Sequence, residues 1–122
     1  VSELMPVISA TQLALLRKDV EDVFVHDNIY MYITKLVNQT RENDYIELGI
    51  SPRGTIACVR MAKAWAFLSG RRYVTPEDVA DIFLDIAKHR IVLNTKARVS
   101  HVSEDAVLTE ILNKEKQPTS YM

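Results

Sequence analysis

Apolar residues recur at three- and four-residue spacing along most of this chain, and each recurrence opens on a helix-start signal. Ser9 followed by Gln12 predicts a capping box, with Ile8 and Leu13 at the staple positions and Leu13, Leu16, Val20 and Val23 along one face. Asp27 is the expected cap of a second helix that buries Ile29, Ile33, Leu36, Val37 and Thr40 and ends at Asn43 and Asp44. Ser51 as N-cap and Pro52 at N1 start a third helix that stops at Gly70. Apolar residues cover most of its circumference, from Ile56 to Leu68, so it is expected in the middle of a bundle.

The fourth helix starts at Val74-Thr75-Pro76-Glu77-Asp78, buries Val79, Ile82, Phe83 and Ile86, and ends on Lys88-His89-Arg90, whose charge suits the C-terminal end of the helix dipole. Ile91–Leu93 reads as a short strand, with Val23–Val25 as its candidate partner, and residues 94–101 as a polar loop. A fifth helix follows Ser103, carries Val107, Leu108, Ile111 and Leu112, and ends before Gln117-Pro118. The fold expected is therefore mainly all-α, a bundle of about five helices with one short β pairing, over residues 1–114, followed by a flexible tail at 115–122.

Composition agrees and removes several functions. Three glycines and four prolines in 122 residues are too few for the turns of an all-β chain. The formal charge of -1 lacks the basic surplus that nucleic-acid binding by counterion release demands. A single cysteine, Cys58, rules out an internal disulfide and any Cys-rich zinc site, and fits a reducing compartment. No apolar run approaches the length of a membrane span. His26, His89 and His101 share no metal-ligand spacing, so no metal site is expected. Asp78, Asp81 and Asp85 fall within about 60° of arc on one helix face, which suits a solvated or partner-facing stripe better than an Mg²⁺ site or acid–base catalysis.

One residue conflicts with its surroundings. Arg53 stands at the second position of the third helix, where the dipole disfavours a cation. Arg60 lies about 20° and Lys63 about 80° from it around the helix, so the cations of a mostly apolar helix share one edge. With the free N–H groups that follow Ser51 and Pro52, this reads either as an anion site, phosphate being the natural ligand, or as an arginine paired with Glu47, Asp78 or Asp81.

Several runs carry a family resemblance: Gly49-Ile50-Ser51-Pro52-Arg53-Gly54, then Ala62-Lys63-Ala64-Trp65-Ala66, then Gly70-Arg71-Arg72-Tyr73-Val74-Thr75-Pro76-Glu77-Asp78-Val79, and His89-Arg90-Ile91. Thr40-Arg41 adds to them. Together they resemble the C-terminal helical lid of MoxR-type AAA+ ATPases over roughly residues 8–112. The resemblance implies a domain that closes over ATP held by an α/β base outside this chain, with residues 1–8 the remnant of the connection to it.

It further implies that Arg53 is the sensor 2 arginine, reaching the β- and γ-phosphates, with Ser51, Pro52 and more weakly Lys63 around the nucleotide and Mg²⁺ held by the base. A lid of this kind, inactive alone, is part of a cytoplasmic bacterial ATPase that forms a hexameric ring, remodels or matures protein complexes as a chaperone does, and pairs with a von Willebrand factor A domain protein. Gly54 stands where the family commonly has alanine, implying a looser first turn. Tyr73-Val74-Thr75-Pro76-Glu77-Asp78-Val79 also suits a histone-fold-like interaction or DNA-binding module without an ATPase role, the alternative class.

Overall fold

The computed structural model describes residues 9–122. The elements run α1 (Ala10–Glu21), α2 (Asp27–Glu42), β1 (Ile46–Leu48), α3 (Pro52–Leu68), α4 (Pro76–Ala87), β2 (Val92–Leu93), α5 (Thr95–Val99) and α6 (Glu104–Lys114). The mainly helical bundle predicted from the sequence is the fold observed, with one helix more than expected. Residues 1–8, including Ile8 of the proposed staple, lie outside the described residues.

The start signals work as written. Ser9 Oγ accepts from Gln12 N–H at 3.1 Å while Gln12 Oε1 accepts from Ser9 N–H at 3.0 Å. Ser51, Thr75 and Ser103 cap α3, α4 and α6 through their hydroxyl oxygens. At α2 the cap moves by one residue: His26 Nδ1 accepts from Asn28 N–H at 3.0 Å, and Asp27 becomes the first helical residue. Gly70 follows α3 with φ +82°, the left-handed conformation that glycine adopts without strain.

The core lies between α2, α4 and α6, where Ile29, Ile33, Leu36, Phe83, Val107 and Leu108 are closed to solvent. α3 packs along α4 and buries only Gly54, Cys58, Ala62 and Ala66. Its expected place in the middle of a bundle is thus corrected. The small residues form the contact, while Ile56 and Met61 beside α4, Trp65, whose indole reaches Asp81, and Leu68 stay exposed because no described element covers them. α1 itself buries nothing; of its predicted face Leu13 and Leu16 are exposed, and only Val23 beyond its end is buried. Ile86 is likewise half-buried rather than buried.

The β pairing also differs from expectation. β2 pairs antiparallel with β1, Ile46 opposite Leu93 and Leu48 opposite Val92. Val23–Val25 is extended as read, with Val23 and Val25 buried and Phe24 exposed, but its partner is the segment before α4. Phe24 N–H donates to Arg72 O at 2.8 Å, and Val74 N–H donates to Phe24 O at 2.9 Å. The connections leaving α2 and α4 lie side by side, with Asn94 N–H donating to Tyr45 O at 2.9 Å, which sets β2 against β1. The expected polar loop holds α5, capped by Asn94 and anchored by its one buried residue, Ala97. Residues 115–122 run back across α2: Glu115 accepts from Gln39 Nε2 at 2.6 Å, Ser120 O accepts from Asn28 Nδ2 at 2.8 Å, and the Tyr121 ring lies 6.4 Å from that of Tyr73.

Candidate functional site at the start of helix α3

The first turn of α3 is held by the last turn of α2. Thr40 is fully buried; its hydroxyl donates to Val37 O at 2.6 Å and accepts from Ile50 N–H at 3.0 Å. Arg41 Nε donates to Ile50 O at 2.8 Å. Both backbone groups of Ile50 are therefore fixed by side chains of α2, and its own side chain is fully buried. Gly49 makes this possible, since a Cβ there would lie 2.7 Å from the Arg41 backbone nitrogen. Immediately after this clamp, Ser51 Oγ accepts from Gly54 N–H at 3.2 Å and Pro52 fills the first position, so Arg53 is presented from a rigid helix start.

Arg53 is exposed, and among the described residues no acid pairs with it. Of the acids considered as partners, Glu47 makes no ion pair with it among the described residues, and Asp78 and Asp81 are engaged elsewhere. Asp78, buried, takes both terminal nitrogens of Arg71 at 2.5 and 2.6 Å and accepts from Thr75 N–H at 2.8 Å. Burial alone would raise the Asp78 carboxyl, but the Arg71 guanidinium and the Thr75 groups outweigh it and hold the carboxyl below its usual range. Asp81 accepts from the Trp65 indole N–H at 3.2 Å, and Asp85 faces Lys88 at 3.7 Å. The three aspartates of the predicted stripe thus serve separate partners. Among the described residues no group of three or more His, Cys, Asp or Glu side chains is placed to hold a metal ion.

The predicted cations divide. Arg53 and Arg60 line one groove between α3 and α4, about 440 Å³ in volume, floored by Ile56, Met61 and Ile86. Lys63 lines a separate pocket against α1, which Arg60 also borders, and donates from Nζ to Glu21 O at 3.1 Å, where it caps the C-terminal end of α1. The groove's third arginine is Arg90, expected at the basic end of α4 but not among the site residues. Its signal was its place in the His89-Arg90-Ile91 run, beside the other matched runs. Cys58 is fully buried, and burial pushes its thiol up to about 11, which suits packing rather than nucleophilic chemistry.

The AAA lid domain family model matches residues 38–111, and the chain belongs to that family. It is 34% identical over 118 residues to the uncharacterized protein YeaC of Bacillus subtilis, covering 97% of this chain and 37% of that protein. It is 30% identical over 115 residues to the chaperone MoxR1 of Mycobacterium tuberculosis, covering 87% of this chain and 30% of that protein. The crystal structure of a candidate ATPase from Cytophaga hutchinsonii superposes with a TM-score of 0.85 at 32% identity, over 92% of this chain and 37% of that one.

The chain is thus a lid domain homologous to those of MoxR-type proteins, and not a histone-fold module. It spans about a third of the length of these relatives. Among the described residues no helix is long and apolar enough to cross a membrane.

Proposed function

We propose that this chain is the lid of a MoxR-type AAA+ ATPase and that Arg53 is its sensor 2 residue, contacting the β- and γ-phosphates of ATP held by a base outside the chain. The observation that carries this reading is the clamp on Ile50. Two side chains of α2 and a close-approaching glycine fix the residue just before the Ser51 cap, and Arg53 projects from that fixed turn with no acid among the described residues to neutralise it. Family membership and the likeness to the MoxR1 chaperone support the same reading.

Ser51 and Pro52 then shape the turn, while Lys63, tied to Glu21, serves the packing of α1 more than the nucleotide. The arginine groove suits phosphates, whereas Mg²⁺ belongs with carboxylates and waters of the base. ATP would supply the γ-phosphoryl group that passes to water as ADP leaves, and the charge that Arg53 reads. A contact made to the γ-phosphate favours the ATP-bound closed lid over the ADP-bound one by about 1.5 to 3 kcal/mol, the worth of a charged hydrogen bond. Loss of that contact frees the lid to rotate.

In a cytoplasmic hexameric ring the rotation would act on neighbouring subunits and remodel a client complex, with a von Willebrand factor A domain protein as partner. The decisive experiment is Arg53→Ala in the full-length protein. ATP turnover should fall at least about tenfold, about 1.4 kcal/mol of barrier, with ATP affinity changed less. Unchanged turnover would remove the assignment.

A further inference from the structure

We propose that Arg90 is a second cation for the same nucleotide phosphates and that Gly54 is what seats it; the inference rests on the nucleotide reading of Arg53. Arg53, Arg60 and Arg90 surround one groove whose floor is apolar. Among the described residues none of the three has an acid within ion-pair distance, and the nearby acids of α4 are engaged by Arg71, Trp65 and Lys88. Three like charges line this groove on exposed side chains, and no acid among the described residues compensates them. Such an arrangement is relieved by a ligand carrying several negative charges. Guanidinium forks match phosphate oxygens with paired hydrogen bonds, and a polyphosphate offers adjacent groups for two of them.

Gly54 selects which two. A Cβ at position 54 would lie 3.2 Å from Arg90 Cδ and 2.5 Å from Ile50 Cγ2. The stem of Arg90 therefore crosses the same first turn of α3 that carries Arg53, in space that any side chain at position 54 would narrow. Arg60 stands two helical turns further along, about 10 Å by helix rise, too far to share one phosphate with Arg53. The absence of a side chain at position 54 thus leaves room for the Arg90 stem in the groove that Arg53 also lines.

The test uses the full-length protein with Mg²⁺, titrated with ATP and with ADP, together with ATP turnover and unfolding without nucleotide. Arg90→Gln should weaken ATP binding about tenfold or more and ADP binding less. Arg90→Lys should recover part of the loss, because it keeps the charge without the fork. Gly54→Ala should also weaken ATP binding, but its methyl would meet Ile50 Cγ2 more closely than Arg90 Cδ, so the Arg90 variants carry the test. The Tm of Arg90→Gln without nucleotide should be unchanged or higher, since a repelling charge has gone.

A fall in that Tm that parallels the loss of ATP binding would make Arg90 a structural brace and overturn the proposal. So would unchanged ATP affinity in Arg90→Gln while Arg53→Ala still lowers turnover; if that variant instead lost ring assembly, the groove would belong to an acidic segment of a neighbouring subunit. Unchanged turnover in Arg53→Ala would fail the nucleotide reading itself, a result distinct from either.

Discussion

The Thr40 hydroxyl accepts the Ile50 N–H at 3.0 Å, joining the end of α2 to the residue that precedes the α3 cap. Both partners are fully buried, so neither can turn to water. Replacing Thr40 by Val keeps the shape and removes the acceptor, leaving a buried N–H unsatisfied. Thr40→Val is expected to destabilise the protein by about 1 to 3 kcal/mol in denaturant unfolding. A change below a few tenths of a kcal/mol would show that the clamp does not hold α3.

Gly49 supports the same clamp by geometry rather than bonding. An added methyl would meet the Arg41 nitrogen at 2.7 Å and its Cα at 2.8 Å, and helix backbone cannot move aside as a flexible side chain can. Gly49→Ala should therefore cost about 2 kcal/mol or more in stability. Because the loop before Ser51 must shift to relieve the overlap, ATP turnover of the full-length protein should fall as well. Equal stability of variant and parent would contradict the close approach.

How much of this was legible beforehand follows the range of each interaction. Caps and start signals depend on residues three apart, and Ser9, Ser51, Thr75 and Ser103 could be read directly. Arg53 could be singled out because its conflict is with its own helix dipole. Its supports could not: Thr40 and Gly49 meet the site only through the packing of α2 on the loop before α3. The pairing of β2 with β1 instead of Val23–Val25 depends on where two helices end in space, which periodicity does not report. The exposure of α3 was misread because an apolar circumference was taken to mean apolar neighbours on every side, and this chain covers only part of it.

The Arg71–Asp78 pair gives a pH dependence with a definite sign. Asp78 is held below the usual carboxylate range in the folded protein despite its burial, and its folded value therefore lies below its unfolded one. Its contribution is complete above the ordinary Asp value of about 3.9 and is lost as pH falls from there through the depressed folded value. Acid unfolding should steepen in that window. Asp78→Asn should remove the steepening and, by leaving Arg71 without its carboxylate, cost about 2 to 4 kcal/mol at pH 7, a range reduced for the partial exposure of Arg71. A variant with the parent's acid profile would rule out this pair as its source.

His101 ends the turn after α5 with φ 58°, in the left-handed region that costs a residue with a Cβ. Its side chain is exposed. The turn is closed by the backbone, with Val102 N–H donating to Ala97 O at 2.9 Å, so the imidazole is not needed to hold it. His101→Gly should then stabilise the protein by about 0.5 to 1 kcal/mol, an effect opposite to that of glycine in a helix interior. Loss of stability on this substitution would mean that the side chain supports the turn in some other way.

Cys58 offers a probe of α3 that needs no ligand. Its side chain is fully closed to solvent, and burial pushes its thiol up to about 11, although Arg90 pulls in the opposite direction. At pH 8 the thiolate fraction is therefore well below that of a free cysteine, and the sulfur is out of reach of a reagent. Alkylation of the native protein should proceed only through opening of the α3–α4 contact, at a rate that rises with denaturant and falls in variants that stabilise the fold. Gly49→Ala and Thr40→Val, which loosen the start of the same helix, should each accelerate labelling in proportion to their loss of stability. Labelling as fast as that of the unfolded chain would place Cys58 at the surface and undo the packing of α3 on α4 described here.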